Sequence, residues 1–147
     1  MKKFQFSLDT LKGFKGQVLE REKNALAHLR RQQQQLEDEK NDTIIKLQKS
    51  SEEFTKKTSE GINILQIQVM KGYQQSLKDQ IDALAEEINR MENRVQNQLR
   101  IVIEATKEVS SLEKLEDKQY EEYNFKVAKA EEQFVSEYVL HSSYKST

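Results

Sequence analysis

The side chains with the greatest capacity for chemistry in this sequence are its two histidines and 25 acidic residues. Glu137 lies four residues before His141, so on a helix the two share one face, as Glu and His do in helix-bundle metal sites. Such a site needs several converging ligands, and no second pair of this kind occurs. A solvated histidine explains His141 better than a ligand does, and we predict no metal and no cofactor.

Charged runs offer the next candidates, namely "RR" at 30–31 and "LEDE" at 36–39. Acidic residues follow the two arginines closely, and 24 basic residues balance 25 acidic ones for a net charge of −1. This balance gives no general attraction to nucleic acid or to anionic lipid. Carboxylates on an open helix surface also lack the enclosed pocket in which catalytic groups are tuned. We therefore predict that the chain is not an enzyme and does not bind nucleic acid.

The composition indicates which elements carry these side chains. The chain has no proline, no cysteine and four glycines, with 35% hydrophobic residues and a mean hydropathy of −0.89. Its polar residues are mostly Gln, Glu, Lys and Arg, which are good helix formers. Long helices that share a narrow apolar seam fit this composition better than a compact globule does. The absence of cysteine, of a signal-peptide h-region and of a membrane span leads us to expect a cytoplasmic protein.

The second half of the sequence carries a heptad pattern. Apolar residues recur at alternating steps of three and four for about eight repeats, which is typical of a coiled coil. The pattern weakens at "EKLEDKQ", residues 113–119. Its clearest positions are Leu77, Ile81, Leu84, Ile88, Met91, Val95, Leu99 and Val102.

The first half shows a looser version of this pattern, with Ser7 as the expected cap of the first turn. Between the halves, Gly61 and Gly72 bracket "GINILQIQVMKG", whose near alternation resembles a strand that has no partner. We interpret this segment as a corner. The predicted fold is all-α, a long antiparallel two-helix coiled coil that forms a single domain over 1–147. Helix one covers about 7–58, the corner 59–72 and helix two about 73–140.

Four stretches in this order resemble the flagellar FliJ family: "FQFSLDTL", "EREKNALAHLRRQQQQLEDE", "YQQSL" after the corner, and "EATKEVSSLEKLEDKQYEEY". The resemblance covers most of the chain, including its length and hairpin layout. It implies a non-enzymatic, stalk-like component of the type III flagellar export apparatus. The implied partners are the hexameric export ATPase, the cytoplasmic domain of the export gate and the export chaperones. The implied location is the cytoplasm at the base of the flagellum, peripheral to the membrane through partners only.

The resemblance also implies two sets of contact residues. The ATPase ring should meet the end where the termini join, and the gate should meet helix two just after the corner. Ser76 and Gln80 stand where the family's gate stripe is more apolar, so Leu77 or Leu84 is the alternative contact there. The expected ring contacts are Leu8, Leu11, Lys12, Lys15, Phe134 and Tyr138. The expected gate contacts are Tyr73, Ser76, Leu77, Gln80, Ala83, Leu84 and Glu87.

Two other functions fit the same pattern. One is a stalk subunit of another ATPase or of a virulence secretion system. The other is a generic coiled-coil scaffold or holdase that acts as a dimer. Neighbouring genes would distinguish the first, and the mass in solution would distinguish the second, because an intramolecular hairpin is a monomer.

Overall fold

A computed structural model describes residues 2–145, and these residues contain two helices and no strand. Helix α1 spans Asp9–Glu60 and helix α2 spans Ile64–Lys145, with 52 and 82 residues. The two helices pack against each other. The predicted all-α helical hairpin is therefore confirmed.

Helix α1 begins two residues later than predicted and without the expected cap. The backbone N–H of Lys12 donates to the carbonyl of Leu8 at 2.8 Å, which is the first helical bond, and Asp9 is the first helical residue. The side chain of Ser7 instead shares a hydrogen bond with the Gln119 amide of α2 at 3.2–3.3 Å. A serine hydroxyl bonds to the nearest suitable partner, and here that partner lies on the other helix rather than in the first turn.

The turn between the helices is much shorter than the predicted corner at 59–72. Only residues 61–63 are non-helical, and Gly61 adopts a φ of 89°, which glycine tolerates because it has no Cβ. Asn63 then caps α2: its Oδ1 accepts the N–H of Gln66 at 2.9 Å, and Gln66 Oε1 accepts the N–H of Asn63 at 3.4 Å. This reciprocal pair is a capping box. The strand-like residues from Ile64 onward are therefore the first turns of α2, and Gly72 lies inside that helix.

The described residues group into two compact units, and the prediction of a single domain over 1–147 stays a prediction. We call Glu22–Val102 the turn unit. The terminal unit consists of the described residues up to Arg21 and from Ile103 onward.

In the turn unit, apolar side chains of both helices form a seam. It also holds polar groups: the buried Gln74 amide donates to the Ser50 carbonyl at 3.4 Å, and the half-buried Gln98 amide donates to a Glu22 carboxylate oxygen at 2.6 Å. These cross-helix bonds satisfy polar groups that the seam removes from water. The buried side chains of the unit are Leu26, Thr43, Ser50, Gln74, Leu77, Leu84, Met91 and Val95.

In the terminal unit, residues 2–7, which we call the arm, lead into α1. Phe6 of the arm, Leu19 of α1 and Ala105 of α2 are its buried apolar residues. Ion pairs flank this short core, with Lys12 bound to Glu116 at 2.5 Å and Lys15 bound to Glu108 at 2.9 Å. The final segment of α2, residues 128–145, is exposed at every position; we call it the tail.

Candidate partner-binding surfaces

The predicted ring contacts on α1 divide into two exposed leucines and two engaged lysines. Leu8 and Leu11 are exposed at the start of the helix. The ammonium groups of Lys12 and Lys15 are instead bound to carboxylates of α2. The hydrogen bond that Lys12 donates to Glu116 raises the pKa of Lys12 above its ordinary value, because the carboxylate favours the charged ammonium. These lysines therefore already hold α1 against α2 within the terminal unit.

The two predicted ring contacts on α2 lie well away from those on α1. Phe134 and Tyr138 are in the tail, and the side chain of Phe134 is 71% exposed. At about 1.5 Å per residue, α2 carries Phe134 roughly 22 Å beyond Gln119, the residue that contacts Ser7. The predicted ring residues therefore form two patches rather than one. The separation arises because the chain before Asp9 is not helical. The tail of α2 therefore has no part of α1 beside it.

The tail exposes apolar side chains on more than one side. Phe134 and Tyr138 continue the seam stripe of α2, whereas Val135, Val139 and Leu140 lie beside it because each residue turns the helix by about 100°. Between Val127 and Phe134 the surface forms an open hollow of about 400 Å³. The heptad pattern did not identify Val135, Val139 and Leu140 as candidates. Their departure from that pattern was the available signal.

The arm lies along α2 just before the tail. The Phe4 ring meets Tyr120 edge-on, with ring centroids 5.1 Å apart, and a tilted Tyr123 ring at 5.6 Å. The Tyr123 hydroxyl donates to the backbone carbonyl of Lys2 at 2.5 Å. Aromatic pairs favour such tilted and edge-on geometries because ring edges are positive and ring faces negative. The arm thereby covers part of the tyrosine pair.

The predicted gate residues separate into an exposed stripe and two buried leucines. Tyr73, Ser76, Gln80, Ala83 and Glu87 are all exposed, and steps of three and four place them along one face of α2. Leu77 is only 3% exposed and Leu84 is also buried, so both pack in the seam of the turn unit. The exposed stripe is therefore the part of the predicted set that a partner can reach.

Two exposed apolar residues extend this stripe toward the turn. Leu65 and Val69 are 66% and 67% exposed, and steps of four connect them to Tyr73. The sequence pattern did not identify either residue as a partner contact, because both lie in the segment predicted to be a corner rather than a helix. The Asn63–Gln66 capping box was the signal that could have found them, since it marks the start of a helix.

Chemistry at a metal or in a membrane receives no support from the described residues. Within 2–145, no three His, Cys, Asp or Glu side chains come together as a metal site would require. Glu137 and His141, the pair considered first, both lie in the exposed tail. Neither helix, over its described length, has a stretch apolar enough to cross a bilayer.

Comparison with known families places most of the chain in one match. A family model described as "Flagellar FliJ protein" matches residues 4–146. The match includes most of the arm, all of α1 and the whole described length of α2. No curated protein and no solved structure is similar enough to the chain to count as a match.

Proposed function

The chain belongs to the flagellar FliJ family and is thus a component of the flagellar export apparatus, and from this premise we propose three roles for it. It acts as a stalk-like activator of the hexameric export ATPase, as a contact for the cytoplasmic domain of the export gate, and as an escort for export chaperones. The first two roles draw support from exposed surfaces of the chain. The escort role rests on the family resemblance alone.

The observation that carries the ATPase role is the tail. Eighteen consecutive positions, 128–145, are exposed, and they include Phe134, Val135, Tyr138, Val139 and Leu140. A helix with apolar side chains on several sides is usually enclosed by its surroundings rather than packed against a single neighbour. The central hole of a ring of six subunits supplies such an enclosure.

The residues at the start of α1 complete this proposal in a different way. Leu8 and Leu11 are exposed where α1 begins, about 22 Å along α2 from the tail patch. They would meet the rim of the ring while the tail enters the hole. Lys12 and Lys15 keep α1 paired with α2 through Glu116 and Glu108, so they would support the insertion rather than contact the ring.

The gate role is supported by the exposed stripe after the turn. Leu65, Val69 and Tyr73 provide an apolar section, and the polar section continues through Ser76, Gln80, Ala83 and Glu87. Partner interfaces commonly combine an apolar, aromatic centre with a polar rim. We propose that Leu65 and Val69 supply the apolar contacts that Ser76 and Gln80 lack. With partners at both surfaces, the protein would be held in the cytoplasm at the base of the flagellum, peripheral to the membrane.

The ATPase role is tested by titrating the export ATPase of the same organism with the purified chain. We expect a saturable rise in ATP hydrolysis near one chain per six ATPase subunits, because one stalk fills one ring. Phe134→Ala should raise the half-saturating concentration by roughly 30-fold, which corresponds to an anchor residue worth about 2 kcal/mol.

Ile101→Ala is the control for this titration. Ile101 is also exposed on α2 but belongs to the turn unit, outside the tail and the stripe that leads to it. We expect this variant to stimulate hydrolysis like the unchanged chain. Equal losses in both variants would argue against a specific tail contact. No stimulation by the unchanged chain would refute the activator role and favour the alternative function of a coiled-coil scaffold.

The gate role is tested by measuring the affinity of the chain for the purified cytoplasmic domain of the gate. Val69→Glu should weaken binding at least about tenfold, because it places a charge in the apolar section of the stripe. Ile101→Glu is the control, since Ile101 is also exposed on α2 within the turn unit but lies far along the helix. Unchanged binding by Val69→Glu would exclude this stripe as the gate surface.

A further inference from the structure

The arm is anchored at its inner end by the buried Phe6 and by the Ser7–Gln119 hydrogen bond, while its outer part, residues 2–5, is held on α2 by a small set of contacts. Phe4 packs against Tyr120 and Tyr123, and the Tyr123 hydroxyl bonds the Lys2 carbonyl. Over the described residues 2–7 the arm has no helical or strand structure of its own. Its attachment therefore depends on side chains rather than on a ladder of backbone hydrogen bonds.

The surface under the arm continues into the tail. Tyr120, Tyr123, Val127, Phe134 and Tyr138 follow one another at steps of three, four, seven and four, which places all five on one face of α2. The arm contacts the first two, while Phe134 and Tyr138 are exposed. One apolar stripe is thus contacted by the arm at one end and open at the other, although Tyr120 remains 50% exposed beside the arm.

The cleft beside the outer arm carries an excess of positive charge. Lys2 and Lys3 of the arm and Lys126 of α2 line it, together with the single acidic residue Glu122. Like charges on the arm and on α2 add no attraction between them, so the aromatic and hydrogen-bond contacts carry the attachment. An occupant with a larger apolar contact could displace so small a set of contacts.

We propose that the outer part of the arm, residues 2–5, is a releasable cover, and that the ring-binding surface of α2 extends beneath it to Tyr120 and Tyr123. This inference rests on the proposed insertion of the tail into the ATPase ring. The occupant is the apolar wall of that ring, which presents an aromatic or large aliphatic side chain in place of Phe4. Phe4 itself shows the chemistry that this position accepts, an aromatic ring that meets Tyr120 edge-on.

A covalent lock tests the proposal directly. The chain has no cysteine, so Lys3→Cys combined with Glu122→Cys introduces a unique pair across the cleft that both residues line. A short bismaleimide then fixes the arm on α2. The reference is the same double variant with each thiol capped singly. The control lock is Gln33→Cys with Glu92→Cys, because these side chains are bonded to each other between α1 and α2 in the turn unit.

We expect the locked arm to weaken binding to the export ATPase at least tenfold relative to the singly capped reference, and the control lock to leave binding unchanged. Equal affinity of the locked and singly capped chains would overturn the releasable arm while the ring proposal stands. Absence of binding by the unchanged chain would overturn the ring proposal, and this inference with it. The two failures are therefore distinguishable.

A second variant loosens the arm without removing any ring. Tyr123→Phe deletes the hydroxyl that bonds the Lys2 carbonyl and keeps the aromatic surface of α2. If the arm competes with the ring, this variant should bind the ATPase roughly 2- to 10-fold more tightly, the range that corresponds to one lost hydrogen bond. Unchanged or weaker binding of the ATPase would contradict competition between the arm and the ring.

Discussion

The seam of the turn unit and the tail use the same kind of apolar spacing on the same helix, yet their burial is opposite. Leu77 in the seam is 3% exposed, while Phe134 in the tail is 71% exposed. Both positions follow the three-and-four spacing that predicts one face of a helix. The difference arises because α1 lies against α2 at Leu77. At Phe134 no part of α1 lies beside α2, because the chain before Asp9 is not helical.

This comparison shows that an apolar stripe predicts a contact but not the molecule that provides it. Helix α2 has 82 residues and α1 has 52, so part of α2 lacks a partner helix within the described chain. In the seam, folding itself supplies the hydrophobic gain. In the tail, the same gain is available only when another surface arrives.

The contrast between the seam and the tail is tested most directly by truncating one apolar side chain in each region. Leu77→Ala should lower the free energy of unfolding by about 2–5 kcal/mol, because it removes buried methyl groups and leaves a cavity. Phe134→Ala should change it by no more than about 0.5 kcal/mol, because the ring is exposed in the free chain. Urea unfolding followed by circular dichroism measures both. Similar losses for the two variants would mean that the tail is packed in solution.

The two glycines of the turn unit test where the turn ends and α2 begins. Gly61→Ala should destabilise the chain by about 1–2 kcal/mol, because a φ of 89° is strained for a residue with a Cβ. Gly72→Ala should stabilise it by about 1 kcal/mol, since Gly72 is inside α2 and an added Cβ meets nothing within 4 Å. Thermal unfolding of the two variants reports the signs. Equal destabilisation would restore the longer corner predicted from the sequence.

The smallest expected effect concerns charge in the two units. The side-chain bonds from Gln96 and Gln33 lower the pKa of Glu92 below its ordinary 4.5, since they favour the carboxylate. Its contribution to stability is therefore present above pH 4.5 and is lost as the pH falls through the lowered pKa. Lys12 behaves oppositely: its contribution is present below pH 10.5 and is lost as the pH rises through the raised pKa. Glu92 is exposed and the Lys12 side chain is about one-third exposed, so solvent screens both groups and the effects are small.

An NMR titration of the Glu92 carboxyl group checks this expectation. Replacing Gln33 by alanine should move the pKa of Glu92 upward, toward its ordinary value, because one of the two lowering bonds is lost. The titration of a glutamate outside this cluster provides the reference in the same spectra. A lower pKa in the variant would contradict the stated cause.

Prediction from the sequence succeeded where one pattern was sustained over many turns. The heptad spacing identified Leu77, Leu84, Met91 and Val95 as seam residues, and all four are buried. It failed where the outcome depended on a few local bonds. Ser7 bonds Gln119 of α2 rather than its own helix, and the Asn63–Gln66 capping box starts α2 before the predicted corner ends. Single polar side chains have several partners within reach, so spacing does not select among them.

The candidate surfaces divide in a similar way. Steps of three and four predicted that Tyr73, Ser76 and Gln80 share a face, and all three are exposed on α2. Leu77 and Leu84 entered that set as apolar substitutes for Ser76 and Gln80, and both are buried. Adjacent stripes on a helix differ by one residue, and only the position of α1 decides which stripe is covered.

The sequence by itself determined that the chain is helical, that it folds back on itself and which apolar residues of α2 form the centre of the seam, because helix propensity and apolar spacing are local and repeated properties. It did not identify the buried polar residues Thr43, Ser50 and Gln74. The tertiary structure decided where the seam runs out of a partner. That limit depends on the register in which α1 lies against α2. It also depends on the arm, whose Phe4 packs against Tyr120 and Tyr123. In the terminal unit, register and arm depend on long-range contacts, such as that between Lys12 and Glu116, which lie 104 positions apart. Long-range contacts of this kind leave no periodic trace in the sequence.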